Sequence, residues 1–207
     1  MWLRNAAGDM IGGVETFQDA SDMVHDLERA KTIQQLALQH DVPEDGRVKF
    51  TTHYVPHAIV GGDYYAIEKL DEDCYGVMLA DVMGHGIAAA LYTMHLSSLW
   101  NRHRRLICQP AEFAAKLNNE LARVVKTDES FATAVCGLLD LRDRVFHFAG
   151  AGGPQVLLMH ADGTAECLET SGLPLAIMED AEYEEARVDL CQGDRLLLFS
   201  DGALEIS

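Results

Sequence analysis

The spacing of apolar residues changes period along the chain, and the changes divide it. Between residues 21 and 40, Met23, Leu27, Ala30, Ile33 or Gln34, and Ala37 recur at three- and four-residue steps, which predicts a helix. Ser21 suits its N-cap, and Asp22 and Asp26 suit its positive end. Pro43-Glu-Asp-Gly46 stops it. The stripe is narrow, so it fits either a seam between two helices or one helix laid on its own domain. Residues 48–55, 64–70 and 74–80 read as strands, the last two joined by a turn at Asp71-Glu-Asp73. Two helices follow at 87–104 and 111–126, parted at Pro110; the second presents Phe113, Leu117, Leu121 and Val125 on one face. The strand pattern returns as an antiparallel meander at 131–139, 145–149, 156–160, 164–168, 187–190 and 195–199, with turns such as Ala161-Asp-Gly163 and Gln192-Gly-Asp194. Residues 3–20 form a separate hairpin turning at Ala7-Gly-Asp9, and two strands alone are only marginally stable. Strands, then two helices, then strands predict an α+β layered sandwich over a parallel βαβ sheet.

The 207 residues suffice for one sizeable core. No run of about 18 apolar residues is available to span a membrane, and Met1-Trp-Leu-Arg-Asn5 lacks the apolar core of a secretory signal. These features place the protein in the cytoplasm, with no membrane partner. Five widely spaced cysteines read as reduced core thiols, and no Cys-x-x-Cys pair suggests structural zinc. A net charge of −17 repels phosphate backbones and argues against nucleic acid as a partner. Glu179, Asp180, Glu182, Glu184 and Glu185 account for part of that acidity as a solvated surface; other acids are free to serve divalent cations.

Three aspartates stand where strands end. Asp81 follows the apolar run Val77-Met-Leu-Ala80 and precedes Gly84, Gly86 and a helix start; Asp63 follows Gly61 and Gly62; Asp201 follows Leu196-Leu-Leu-Phe-Ser200 and precedes Gly202. A carboxylate at the rim of a core is partly desolvated and favours a cation nearby. An all-oxygen set selects Mg²⁺ or Mn²⁺ over zinc. One Asp-Gly pair alone is most often a turn, but three in this context favour a metal centre.

The segments Ile59-Val-Gly-Gly-Asp-Tyr-Tyr65, Ala80-Asp-Val-Met-Gly-His-Gly-Ile-Ala-Ala-Ala-Leu91, Phe131-Ala-Thr133, Ala151-Gly-Gly-Pro154, Gly193-Asp194 and Ser200-Asp-Gly202 occur in this order. Together they resemble the stage II sporulation E and RsbU type of metal-dependent Ser/Thr protein phosphatase, within the type 2C class. Ile33-Gln-Gln35 resembles that family's entry helix. The resemblance implies an α/β/β/α sandwich of two antiparallel sheets flanked by helices, with two Mn²⁺ or Mg²⁺ ions at one edge. It implies that Asp81 bridges the ions, the Val82 carbonyl adds a ligand, Asp63 binds through metal-held water and Asp201 ligates the second ion. Asp63 and Asp81 then carry catalysis, by metal-activated water attacking a phosphoserine or phosphothreonine of an anti-sigma-factor antagonist. His85 fits a general acid or simple packing at the helix entrance and stays outside this set.

The sequence departs from the family at Gly153, where histidine is frequent, and at Ala176, where glycine is usual. Family members also carry a further acidic ligand beyond Ser-Asp-Gly, on a last strand after one more helix; here the sequence given stops at Ser207, and Glu205 lies too close to Asp201 to replace it. The expectation is a fragment: residues 1–21 as the end of a PAS-like sensor, on the resemblance of Leu3 to Ser21 to its last two strands; a linker helix at 22–42, with a homodimer through 22–40 as one reading; and a C-terminally incomplete phosphatase domain at 43–207. A catalytically weak, partner-binding domain is the alternative. Gly61-Gly-Asp63 also begins the diguanylate cyclase signature, but Tyr64-Tyr65 stands where that signature continues with Glu-Phe.

Overall fold

The alternation of residues 63–82 builds the sheet on which the rest is laid. The computed structural model describes residues 2–4, 6–13, 21–38, 41–56, 59–124, 130–153, 156–169 and 171–203. In chain order the elements are β1 (Trp2–Arg4), β2 (Met10–Gly13), α1 (Ser21–Leu38), β3 (Asp63–Lys69), β4 (Cys74–Val82), α2 (Ile87–His103), α3 (Pro110–Val124), β5 (Ala132–Asp140), β6 (Val145–Ala151), β7 (Val156–Met159), β8 (Ala165–Leu168), β9 (Glu185–Asp189) and β10 (Arg195–Leu198). A short 3-10 turn, Arg104–Cys108, separates α2 from α3, and Pro110 opens α3, where its missing N–H costs nothing. The predicted hairpin is present as β1 and β2; its second strand beyond Gly13 and the helix tail at 125–126 lie outside the described residues.

One sheet has the order β3-β4-β5-β6-β9 and a second β10-β7-β8, with every pair antiparallel. On one face of the larger sheet, Tyr64, Ala66, Met78, Ala80, Ala134 and Cys136 meet Leu96, Leu99, Trp100, Phe113, Leu117 and Leu121 of α2 and α3. Small residues on the strands let both helices approach, and Trp100 packs edge-on to Phe113 at 5.7 Å. The opposite face carries Tyr75, Val135, Leu139, Phe146 and Phe148 against Val156, Leu196 and Leu198 of the smaller sheet. A Cβ at Gly137 would overlap the Phe146 ring, so the aromatic stack fills the groove that this glycine leaves. The helix-flanked pair of antiparallel sheets expected from the sequence is therefore present, with the described helices on the outer face of the larger sheet.

Two expectations need correction. Residues 48–55 form no strand; the segment makes a single bridge, Asp45 to Val48. Its period-2 pattern is still expressed, because Val48 and Phe50 pack on the inter-sheet core and Phe50 meets Tyr75 at 5.0 Å, but no ladder partner runs beside it. Ion pairs hold it instead: Arg47 reaches Asp45 and Asp73, and Tyr75 Oη donates to Asp45 at 2.7 Å. The C-terminal strands are also no simple meander. β7 and β8 leave the larger sheet, β9 returns to it beside β6, and β10 crosses back beside β7. The exit follows Gly152 and Gly153, whose φ values of 75° and 119° are open to glycine and end β6.

Candidate metal centre

Asp63 and Asp81 are register partners across β3 and β4, and Thr133 is Asp81's partner on β5. Strand alternation therefore points all three side chains to the inter-sheet face at one end of the larger sheet. Ser200, just past β10 of the smaller sheet, donates its hydroxyl to Asp63 Oδ2 at 3.1 Å. Asp201 opens a 3-10 turn, Asp201–Ala203, and its exposed carboxylate is one of the charges that raise the Asp81 carboxyl. The four residues expected at the centre, Asp63, Asp81, Val82 and Asp201, thus converge on one edge of the sandwich, where the two sheets meet; Glu205 lies outside the described residues.

The electrostatics of this edge are those of anions without a counter-charge. Burial, then the negative charges of Asp63 and Asp201, push the Asp81 carboxyl well above the ordinary aspartate range. Burial also raises Asp63, opposed by its hydrogen bonds to Ser200 and Asp81. A proton held on Asp81 relieves the repulsion, and a cation would do so better. A Cβ at Gly62 would lie 3.2 Å from the Val82 carbonyl oxygen, 3.4 Å from that of Gly84 and 3.6 Å from Ala89 Cβ, so only glycine lets the backbone of this turn approach so closely. Carboxylate and carbonyl oxygens are the donor types that Mg²⁺ or Mn²⁺ takes, but among the described residues no three His, Cys, Asp or Glu side chains are placed to hold an ion together.

The family model described as Stage II sporulation protein E (SpoIIE) matches residues 71–207, well over half of the chain. The chain belongs to the SpoIIE family. It is 30% identical over 183 residues to phosphoserine phosphatase RsbP of Bacillus subtilis (strain 168), covering 87% of this chain and 45% of that protein. It is also 30% identical over 181 residues to phosphoserine phosphatase RsbU of the same organism, covering 87% and 53%. The chain spans about half the length of these relatives. The SiaA-PP2C domain of Pseudomonas aeruginosa shares the fold with a TM-score of 0.74 at 22% identity, over 90% of this chain and 75% of that one.

Seen as a SpoIIE-family chain, its two departures acquire shapes. A Cβ at Gly153 would make an ordinary contact with Thr133 Cβ at 3.9 Å, so the position has space for a side chain that the glycine does not supply. Ala176 has a φ of 71°, the left-handed conformation that glycine adopts freely. His85 is exposed between Gly84 and Gly86, whose φ values of 92° and 83° turn the chain from β4 into α2.

Three contacts went unread in the sequence. Thr133 and Ser200 stood in segments quoted for resemblance without a role of their own. Gln34, buried in α1, donates to the Gly61 carbonyl at 2.8 Å and to Thr93 Oγ1 at 2.8 Å, and accepts from the Gly61 N–H at 3.1 Å. Its signals were a polar residue on the apolar stripe and its place in the Ile33-Gln-Gln35 segment, quoted without a role for the side chain.

Proposed function

We propose that this SpoIIE-family chain is a phosphoprotein phosphatase of a bacterial signalling pathway, removing the phosphoryl group from a serine or threonine of a regulatory protein of the anti-sigma-factor-antagonist type. The observation that carries it is the convergence of Asp63, Asp81 and Asp201 at a half-buried edge with excess negative charge. In this reading Asp81, Asp63, Asp201 and the Val82 carbonyl hold two Mn²⁺ or Mg²⁺ ions. When bound, such ions supply Lewis-acid activation of water and neutralise phosphoryl oxygens. The chain's own part is positioning. The β3–β4 ladder fixes the separation of Asp63 and Asp81, and Ser200 fixes the rotation of the Asp63 carboxylate.

The same proposal places residues 1–21 as the end of a PAS-like sensor, 22–42 as its linker helix and 43–207 as the phosphatase domain, acting in the cytoplasm. The β1–β2 hairpin supports the first part. The exposed Met23, Ile33 and Leu36 of α1 support a homodimer through that helix. Among the described residues no helix is long and apolar enough to cross a membrane. Mn²⁺-dependent hydrolysis of p-nitrophenyl phosphate tests the reading; a rate no higher than that of Asp81→Asn would overturn it.

A further inference from the structure

Beside the carboxylate edge stands a rigid, apolar knuckle, residues 173–178. Ala132 and Leu175 exchange both backbone hydrogen bonds, at 3.2 and 2.7 Å, so the knuckle continues the sheet edge on the side of β5 away from Asp81. Helix α3 pins it from below. Asn118, fully buried, accepts from the Ala176 N–H at 2.8 Å and donates to the Met178 carbonyl at 2.9 Å; Asn119 holds Asp180 through its N–H and carboxylate. Ala176 and Asp180 are both non-glycine residues at positive φ, 71° and 55°. Backbone strain persists where the surroundings over-determine it, and such places cluster at binding sites. What the strain displays is apolar: Leu173, Ile177 and Met178 are 44%, 52% and 53% exposed, and Met83 adds 43% on the near side of β5. The exposed acids Glu179 and Glu182 flank them.

We infer that this knuckle is the docking surface for the polypeptide around the phosphorylated serine, taking an apolar side chain about four residues away and a basic residue beyond it. The inference rests on the phosphatase reading above for the place of the phosphoserine. The reach follows from sheet geometry. Two inter-strand spacings of about 4.8 Å set Leu175 roughly 10 Å from Asp81, Ile177 and Met178 lie a few ångström further, and extended chain advances about 3.3 Å per residue. The charge follows from the acids, which repel an acidic flank and attract a basic one. An apolar surface held this stiffly loses little entropy on binding.

The test uses the full chain with Mn²⁺ and two dye-labelled phosphoserine peptides, read by fluorescence anisotropy. One carries Leu four residues before and after the phosphoserine with Lys outside each; the other carries Glu at all four positions. The wild type is expected to bind the Leu/Lys peptide about tenfold more tightly. The double variant Ile177→Asp, Met178→Asp is expected to lose that preference while keeping its melting temperature and its hydrolysis of p-nitrophenyl phosphate. Equal binding of the two peptides by the wild type, or a preference that survives in the double variant, would overturn the docking surface. A preference lost as expected in a chain that never hydrolyses p-nitrophenyl phosphate would uphold the docking surface and overturn the phosphatase reading instead.

Discussion

Asp63 and Asp81 are direct register partners on adjacent antiparallel strands, with their carboxylates on the same face of the sheet. Like charges placed so are destabilising, and here burial removes much of the water that would screen them. The fold therefore stores a repulsion at this edge that only protons or cations release.

Metal-free protein is accordingly expected to lose stability as pH rises. A carboxyl whose folded-state pKa lies above its unfolded value binds more protons when folded, so its contribution falls between the ordinary value of 3.8 and about 7, the raised value for Asp81. Asp81→Asn removes the larger part of the dependence and leaves the smaller part due to Asp63. In EDTA at pH 8 the variant should melt a few degrees above the wild type, the gap closing by pH 4. Mn²⁺ at pH 8 should raise the wild type and leave the variant unmoved. Thermal melts across pH check this, and a wild type that melts higher at pH 8 than at pH 5 in EDTA contradicts it.

Gly62→Ala tests whether the Val82 and Gly84 carbonyls serve a bound ion. The added Cβ sits 3.2 and 3.4 Å from the Val82 and Gly84 oxygens, tight enough to push them by a few tenths of an ångström. The expected cost in stability is about 1 kcal/mol, while the Mn²⁺-induced rise in melting temperature should fall by half or more. An unchanged Mn²⁺ response would show that these oxygens do not face the ion.

Gln34→Ala leaves the N–H and carbonyl of Gly61 without their side-chain partner in a buried setting. Unsatisfied buried groups cost about 1–3 kcal/mol each, so with two such groups the variant should lose roughly 2–6 kcal/mol. Urea denaturation gives the number, and a loss below about 1 kcal/mol would mean that water replaces the glutamine.

Ala176→Gly should gain stability. A left-handed alanine costs about 1–2 kcal/mol, and glycine returns about 0.4–1 kcal/mol of that as extra freedom in the unfolded chain. The net gain is between about 0 and 1.6 kcal/mol, a rise of a few degrees at most. Ala176→Val should melt well below both, because a β-branched residue is poorly accommodated at positive φ.

The positions of the helices and most strands were legible because each buries one face and writes its period into the sequence. The aspartates were legible for a related reason: an acid closing an apolar strand is out of place unless something charged awaits it. Residues 48–55 misled because alternation reports which side chains are buried, and says nothing of whether a neighbouring strand exists. The partnership of Ser200 with Asp63 spans 137 residues and two sheets, and depends on where β7 leaves the larger sheet, which no local pattern encodes. Gln34 was hidden in the same way, since its partners lie 27 and 59 residues downstream and only the docking of α1 on α2 brings them within reach.

That docking has a consequence for where the functional unit begins. A chain cut at residue 43, between helix and first predicted strand, would keep every carboxylate yet strip Gly61 of its side-chain donor and acceptor, two residues from Asp63. The smallest piece with an intact edge starts upstream of Gln34, so the helix that precedes the sandwich is also one of its walls.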